Sequence, residues 1–211
     1  MDTNMLILLT GEPGVGKSTV LMKLVDMLKE EGIYVGGVVA REVRGDAGKG
    51  RVGFEFVDVS NGSRARLASL SSTEACIEGP RIGKYSVDLD GCRIAAMMLL
   101  RAINSSSNNK VVVFDEIGPM EMLSSDIVDA LRALLDAVNS NSSSNNSNSS
   151  KNTAIHAAIV VIHKRLKHWM ISKYREIASM VIEVNRGNRD ALPSLLLNKI
   201  KKYESKKVGN A

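Results

Sequence analysis

Eight residues near the amino terminus, Gly11-Glu12-Pro13-Gly14-Val15-Gly16-Lys17-Ser18, leave few folds open to this chain. They satisfy G-x-x-x-x-G-K-[ST] at every fixed position, and Thr19 follows directly. An apolar run, Met5 to Leu9, precedes them, while Val20, Leu21, Leu24, Val25 and Leu28 recur behind them at helical spacing. Strand, glycine-rich turn and helix is the context in which such a string cradles phosphate. The glycines let the backbone curl so that successive N–H groups face one anion, and the helix start adds its positive dipole end. Gly11 through Thr19 are therefore read as nucleotide-binding. Lys17 is expected to reach the β- and γ-phosphates, and the Ser18 hydroxyl to ligate Mg²⁺.

A second string completes the pattern. Val111-Val-Val-Phe-Asp115-Glu116 is an apolar strand ending in two carboxylates. Asp115, at the strand end, is the expected second Mg²⁺ ligand. Glu116, one position on, is the candidate to orient and polarise a water towards the γ-phosphorus. Asp115-Glu-Ile-Gly118 also fits the D-x-x-G of switch GTPases. Those proteins read guanine through N-K-x-D, and the nearest string here, Asn198-Lys-Ile-Lys201, has lysine in place of the carboxylate. A switch GTPase is disfavoured.

Apolar runs alternate with helical patterns along the rest of the chain, which argues for an α/β fold with a mostly parallel sheet flanked by helices. Strands are expected at Ile33–Ala40, Arg51–Val59, Lys110–Phe114, Ala157–Ile162 and Met180–Val184. The half-exposed alternation of Arg51–Val59 makes it one arm of an antiparallel hairpin, across the basic, turn-rich stretch Arg44–Arg51. Helices are expected at Leu89–Ile103, around Ile127 to Val138, at Lys164–Ala178 and at Asp190–Tyr203. The tract 139–152 is all polar, Ser and Asn with one Lys, and reads as a flexible surface insertion within one domain spanning 1–204, with a disordered tail at 205–211.

The chain has 211 residues with a net charge of +5, much of the excess in Lys199, Lys201, Lys202, Lys206 and Lys207. A solvated helix face and tail accounts for that run. Four Tyr, three Phe and one Trp leave little for base stacking, which argues against nucleic acid as a partner. Cys76 and Cys92 have no metal spacing and read as ordinary thiols of a reducing, cytoplasmic compartment. No apolar stretch approaches the roughly 20 residues of a membrane span.

The ordered set of strings resembles the small P-loop nucleoside-triphosphatases known from thermophilic microbes and, in humans, as a cancer-related nucleoside-triphosphatase. It comprises GEPGVGKST from Gly11, Gly37–Val43, Arg51–Phe54, Gly83–Leu89, Asp115–Glu121 and Asn188-Arg189-Asp190, over almost the whole chain. The resemblance implies a RecA-like (ASCE) sheet and slow hydrolysis of ATP, GTP and other NTPs with limited base preference. It departs at Pro119, where the family reads lysine, and the Ser/Asn tract has no counterpart in it.

Other candidates follow from position. Lys164 and Arg165 come after a strand expected to end near the nucleotide, so Arg165 is taken as a catalytic second cation. Asn188 and Arg189, after the last strand, are taken to border the base, the alternative being a cap on the final helix. Arg41 and Arg44 either close over phosphates or lie in a solvated loop. His156, His163 and His168 share no metal spacing, and His163 reads as a satisfied polar residue. The expectation is a Mg²⁺-dependent nucleoside-triphosphatase, monomeric, acting through a Glu-activated water. A nucleotide or small-molecule kinase on the same loop is the alternative, and a nucleic-acid-associated factor the more distant one.

Overall fold

The computed structural model describes residues 4–45, 50–71, 77–107, 109–139 and 155–208, with side chains up to 203. In chain order these form β1 (Met5–Thr10), α1 (Lys17–Glu30), β2 (Val35–Arg44), β3 (Arg51–Asp58), β4 (Arg64–Leu70), β5 (Arg81–Ile82) and β6 (Tyr85–Val87). Then come α2 (Leu89–Ile103), β7 (Lys110–Ile117), a 3-10 turn (Glu121–Leu123), α3 (Ser125–Asn139), β8 (Ile155–Ile162), α4 (Trp169–Ile177), β9 (Met180–Glu183) and α5 (Leu192–Val208).

All nine strands join one sheet in the order β5-β6-β4-β3-β2-β7-β8-β1-β9. From β2 to β9 the pairing is parallel. The continuous apolar runs of β1, β7 and β8 follow from burial on both faces. Leu6 and Leu8 point into one layer with Leu99 of α2, Leu131 of α3 and Tyr174 of α4. Ile7 and Leu9 point into the other, with Leu21 and Leu24 of α1 and Leu196 of α5. Strand β8 lies between β1 and β7, so the carboxyl ends of these three strands open side by side on one edge, where open α/β sheets bind ligands.

The sheet is more mixed than one hairpin. Strands β3, β4, β6 and β5 extend it antiparallel beyond β2. Three of these were not foreseen, because β5 and β6 are two and three residues long and β4 interrupts its alternation at Leu67-Ala68-Ser69. Helix α4 begins later than the expected Lys164: the His163 ring accepts from the Arg165 and Leu166 amides at 3.2 and 3.0 Å, turning the chain away from helix. His168 then caps α4, accepting from Met170 N at 3.3 Å. Helix α5 starts at Leu192, after Asp190, and contains Asn198–Lys201. Residues 140–152 of the Ser/Asn tract, 209–211 of the tail, Cys76 and 46–49 of the basic stretch lie outside the described residues. No helix among the described residues is long and apolar enough to cross a membrane.

Candidate active site

The loop between β1 and α1 has the shape its sequence requires. Gly16 caps α1 at φ 106°, a left-handed conformation natural to glycine. Lys17 is the first helical residue, and its Nζ turns back to donate to the carbonyl of Gly11 at 3.2 Å. The lysine is 8% exposed, so its charge is presented to the loop rather than to bulk water. Ser18 and Thr19 follow on the first turn, both exposed.

Strand β7 brings its carboxylates to the same place. Glu116 Oε2 lies 3.5 Å from Lys17 Nζ. Asp115 is buried and hydrogen-bonded by Ser18, yet its Oδ2 has no partner. Burial pushes its carboxyl up to about 7, with Glu116 adding to the rise and Ser18 and Lys17 opposing it. Among the described residues no three His, Cys, Asp or Glu side chains converge as a metal cage. An orphan carboxylate oxygen beside a hydroxyl is a pair of hard oxygen donors of the kind that divalent cations accept.

A third carboxylate went unassigned in the sequence. Glu121, in the 3-10 turn, is buried, and its carboxyl is pushed up to about 8, by desolvation first and then by the charges of Glu116 and Asp115. Backbone amides of Glu121 and Gly118 oppose that shift by hydrogen bonding. A Cβ on Gly118 would stand 2.8 Å from Glu121 Oε2, so a side chain there would press on that carboxylate. The signal was an acid just past Gly118-Pro119, but nothing local marked it as buried.

The cations gather around the loop, each with a partner. Arg165 Nη2 lies 2.9 Å from Glu12 Oε2. Lys164 Nζ bridges Glu12 Oε1 at 3.1 Å and Glu183 Oε1 at 2.7 Å. These two cations hold the Glu12 carboxyl below the usual carboxylate range. Arg189 approaches from beyond β9, its Nη1 donating to Val15 O at 3.5 Å and its Cδ lying beside Gly16. Asn188 shapes that turn: its amide donates to Glu183 O at 2.9 Å, and its side-chain oxygen accepts from Asn185 N, also at 2.9 Å. The structure thus brings Lys17, Ser18, Asp115, Glu116, Glu12, Arg165 and Arg189 to one loop, with Asn188 supporting it.

A cleft of about 920 Å³ opens from the loop. One wall carries Lys17, Ser18, Asp115 and Glu116, and Pro119 stands on it where the resemblance led to a lysine. The cleft continues over β2 to β5, past Arg41, Arg44 and Arg51; the sequence had left Arg41 and Arg44 mainly to a solvated loop and had read Arg51 as the start of a strand. The remaining histidines are spoken for: His156 is buried against Ile200 O at 3.2 Å, and the other two cap turns. Cys92 is buried, which pushes its thiol up to about 12 and leaves it unreactive.

Comparison with known proteins gives a consistent picture. A family model described as NTPase matches residues 6–142. Over 196 residues the chain is 36% identical to nucleoside-triphosphatase THEP1 of Methanopyrus kandleri, covering 92% of this chain and 94% of that one. It is 33% identical over 195 residues to nucleoside-triphosphatase THEP1 of Methanosarcina acetivorans, covering 92% and 95%. The crystal structure of THEP1 from Aquifex aeolicus aligns with a TM-score of 0.69 at 26% identity, over 93% of this chain and 99% of that one. The solution structure of a human cancer-related nucleoside triphosphatase aligns at 0.68 and 29%, over 94% and 98%.

Proposed function

The chain belongs to this NTPase family, and from that premise we propose that it hydrolyses nucleoside triphosphates to diphosphate and phosphate, using Mg²⁺ and a water activated by Glu116. The observation that carries the reading is the 3.5 Å approach of Glu116 Oε2 to Lys17 Nζ. Lys17 is the residue that reaches the γ-phosphate in such loops, so a carboxylate in contact with it stands beside the reacting phosphorus.

The loop amides and Lys17 hold the triphosphate, and Arg189 borders its nucleoside end, with Asn188 fixing the turn that carries it. Asp115 and Ser18 fit Mg²⁺, since a buried Oδ2 without a partner is otherwise costly to keep. When bound, the ion neutralises charge on the β- and γ-oxygens. Glu116, whose side chain is 26% exposed, is open enough to meet water. It orients that water in line and takes its proton as the new P–O bond forms; the bond to the bridging oxygen breaks and the diphosphate leaves. Arg165 is the second cation of this mechanism, stationed at the rim on Glu12. The order of β7, β8 and β1 supports a RecA-like sheet. The sparse, exposed contacts expected for the base fit low selectivity among ATP, GTP, CTP and UTP.

Phosphate release from those four nucleotides, measured with Mg²⁺ for the wild type and Glu116→Gln, tests the reading. The expected outcome is release from several nucleotides, reduced about 10²-fold or more in the variant, as for loss of a general base, with nucleotide binding retained. Equal rates in the two proteins would overturn the role of Glu116. Tight binding without release by the wild type would overturn hydrolysis itself.

A further inference from the structure

The cleft is longer than a triphosphate site requires, and its excess lies on a definite side. Arg189 touches Val15 from the β9 side of the loop, whereas Asp115 and Glu116 stand on β7, towards the middle of the sheet. Under the hydrolase reading, on which this inference rests, the carboxylates mark the γ-phosphate and Arg189 the nucleoside. The nucleoside therefore runs towards β9. The cleft runs the other way, from Glu116 across β2 and β3 to β5. Its outer half faces the γ-phosphate and is left unused by the nucleotide.

The chemistry of that outer half is specific. Phe54, Leu67, Ile82 and Met120, which pack in one layer, give it an apolar floor. Arg41, Arg44 and Arg51 stand along its rim. Glu42 is shared between Arg44, at 3.4 Å, and Arg51. Arg41 has no carboxylate partner among the described residues. Arg44 and Arg51 against one shared glutamate leave this side of the rim positive, while Arg41 stands on the other face of β2, in register with Glu55. The Arg51 guanidinium carbon also lies 5.1 Å from the Phe54 ring centroid, within cation–π range of the floor. Guanidinium forks match phosphate oxygens, and an apolar floor rewards an organic body that covers it. An inorganic ion would leave the floor wet. The whole cleft measures about 920 Å³, at the upper end of the roughly 300–1,000 Å³ range of ligand pockets.

We propose that this outer half is a second ligand site, taking an organic phosphate monoester of about nucleoside-monophosphate size beside the γ-phosphate. Its phosphate lies on the arginine rim and its body on Phe54 and Ile82. Occupancy would bring that ligand against the space where Glu116 holds water, so it alters the rate of phosphate release.

The test uses the full chain saturated with Mg²⁺ and a non-hydrolysable β,γ-imido ATP analogue. AMP, GMP, CMP, UMP, glucose 6-phosphate and inorganic phosphate are titrated in turn by calorimetry. At least one monoester is expected to bind the loaded protein at one per chain, tenfold or more tighter than inorganic phosphate. Arg51→Ala and Ile82→Asp are each expected to weaken that binding tenfold or more, with analogue affinity and unstimulated phosphate release unchanged. Three outcomes overturn the proposal: no monoester binds the loaded protein, monoesters are displaced by the analogue, or inorganic phosphate binds as tightly. Failure of the hydrolase reading shows elsewhere, as loss of analogue binding or of wild-type phosphate release with no monoester present.

Discussion

The two halves of the sheet teach different things about how a chain carries function. On one side, β1, β8 and β7 are parallel, covered on both faces and built from unbroken apolar runs; the residues proposed to meet the phosphates stand on or next to their ends. On the other, β3, β4, β6 and β5 are antiparallel and richer in arginine, and β3, β4 and β5 contribute Arg51, Phe54, Leu67 and Ile82 to the outer cleft. The first half holds its chemistry in contiguous strings, because a phosphate loop and a metal carboxylate each need a fixed local backbone. The second assembles its chemistry from residues far apart in the chain, each unremarkable where it stands.

If the division is sound, damage on the two sides differs in kind and size. The largest effect belongs to Lys17→Ala, which removes the cation proposed to stand against the reacting phosphate. Turnover should fall by about 10³-fold, the upper range for loss of one such donor, as read by steady-state phosphate release. A fall of less than tenfold would break the comparison at its root. Next is Leu8→Ala in β1, whose side chain is fully buried. It should cost about 2–5 kcal/mol of unfolding free energy, as measured by urea denaturation.

The third effect depends on pH. Glu121 holds its proton up to about 8 when folded, against an ordinary 4.5. The folded protein therefore binds this proton more tightly than the unfolded one, and stability falls as pH rises from 4.5 through 8. Asp115, raised to about 7, acts in the same direction over a narrower range. Melting curves of nucleotide-free protein between pH 5.5 and 8.5 should show the decline, and Glu121→Gln should flatten it; an unchanged slope in the variant would count against a buried, protonated Glu121. The smallest effect is expected on the far side of the sheet, from Arg64→Ala. Its 2.8 Å pair with Glu55 is solvent-facing and should contribute no more than about 0.5 kcal/mol. A larger loss there would mean that the extension is stiffer than its exposure suggests.

Legibility in the sequence followed the same division. Gly11 to Ser18 announced a strand, a turn and a helix, and α1 begins at Lys17. Asp115 and Glu116 were identified by the run before them, and the structure brings both to Lys17. Glu121 was not singled out, because its burial depends on a return past Gly118 that no periodicity reports. The pairing of Glu12 with Arg165 joins residues 153 positions apart, beyond any local pattern. Strand β4 was invisible for a different reason: Ala65, Ala68 and Ser69 form strands weakly by themselves, and their pairing with β3 and β6 supplies what propensity lacks.

The knot of Glu12, Lys164, Arg165 and Glu183 has a consequence for how the substrate arrives. Its two positive and two negative charges cancel, and Lys17 is balanced by Glu116 in the same way. An approaching nucleotide, strongly anionic, meets no net field from these groups beyond a Debye length of about 8 Å at physiological ionic strength. Electrostatic steering by these groups is therefore weak, and the long-range pull on an anion falls to Arg189 and to the arginine rim of the outer cleft. Capture is left to the backbone amides of the loop, which act only once the phosphates are within it.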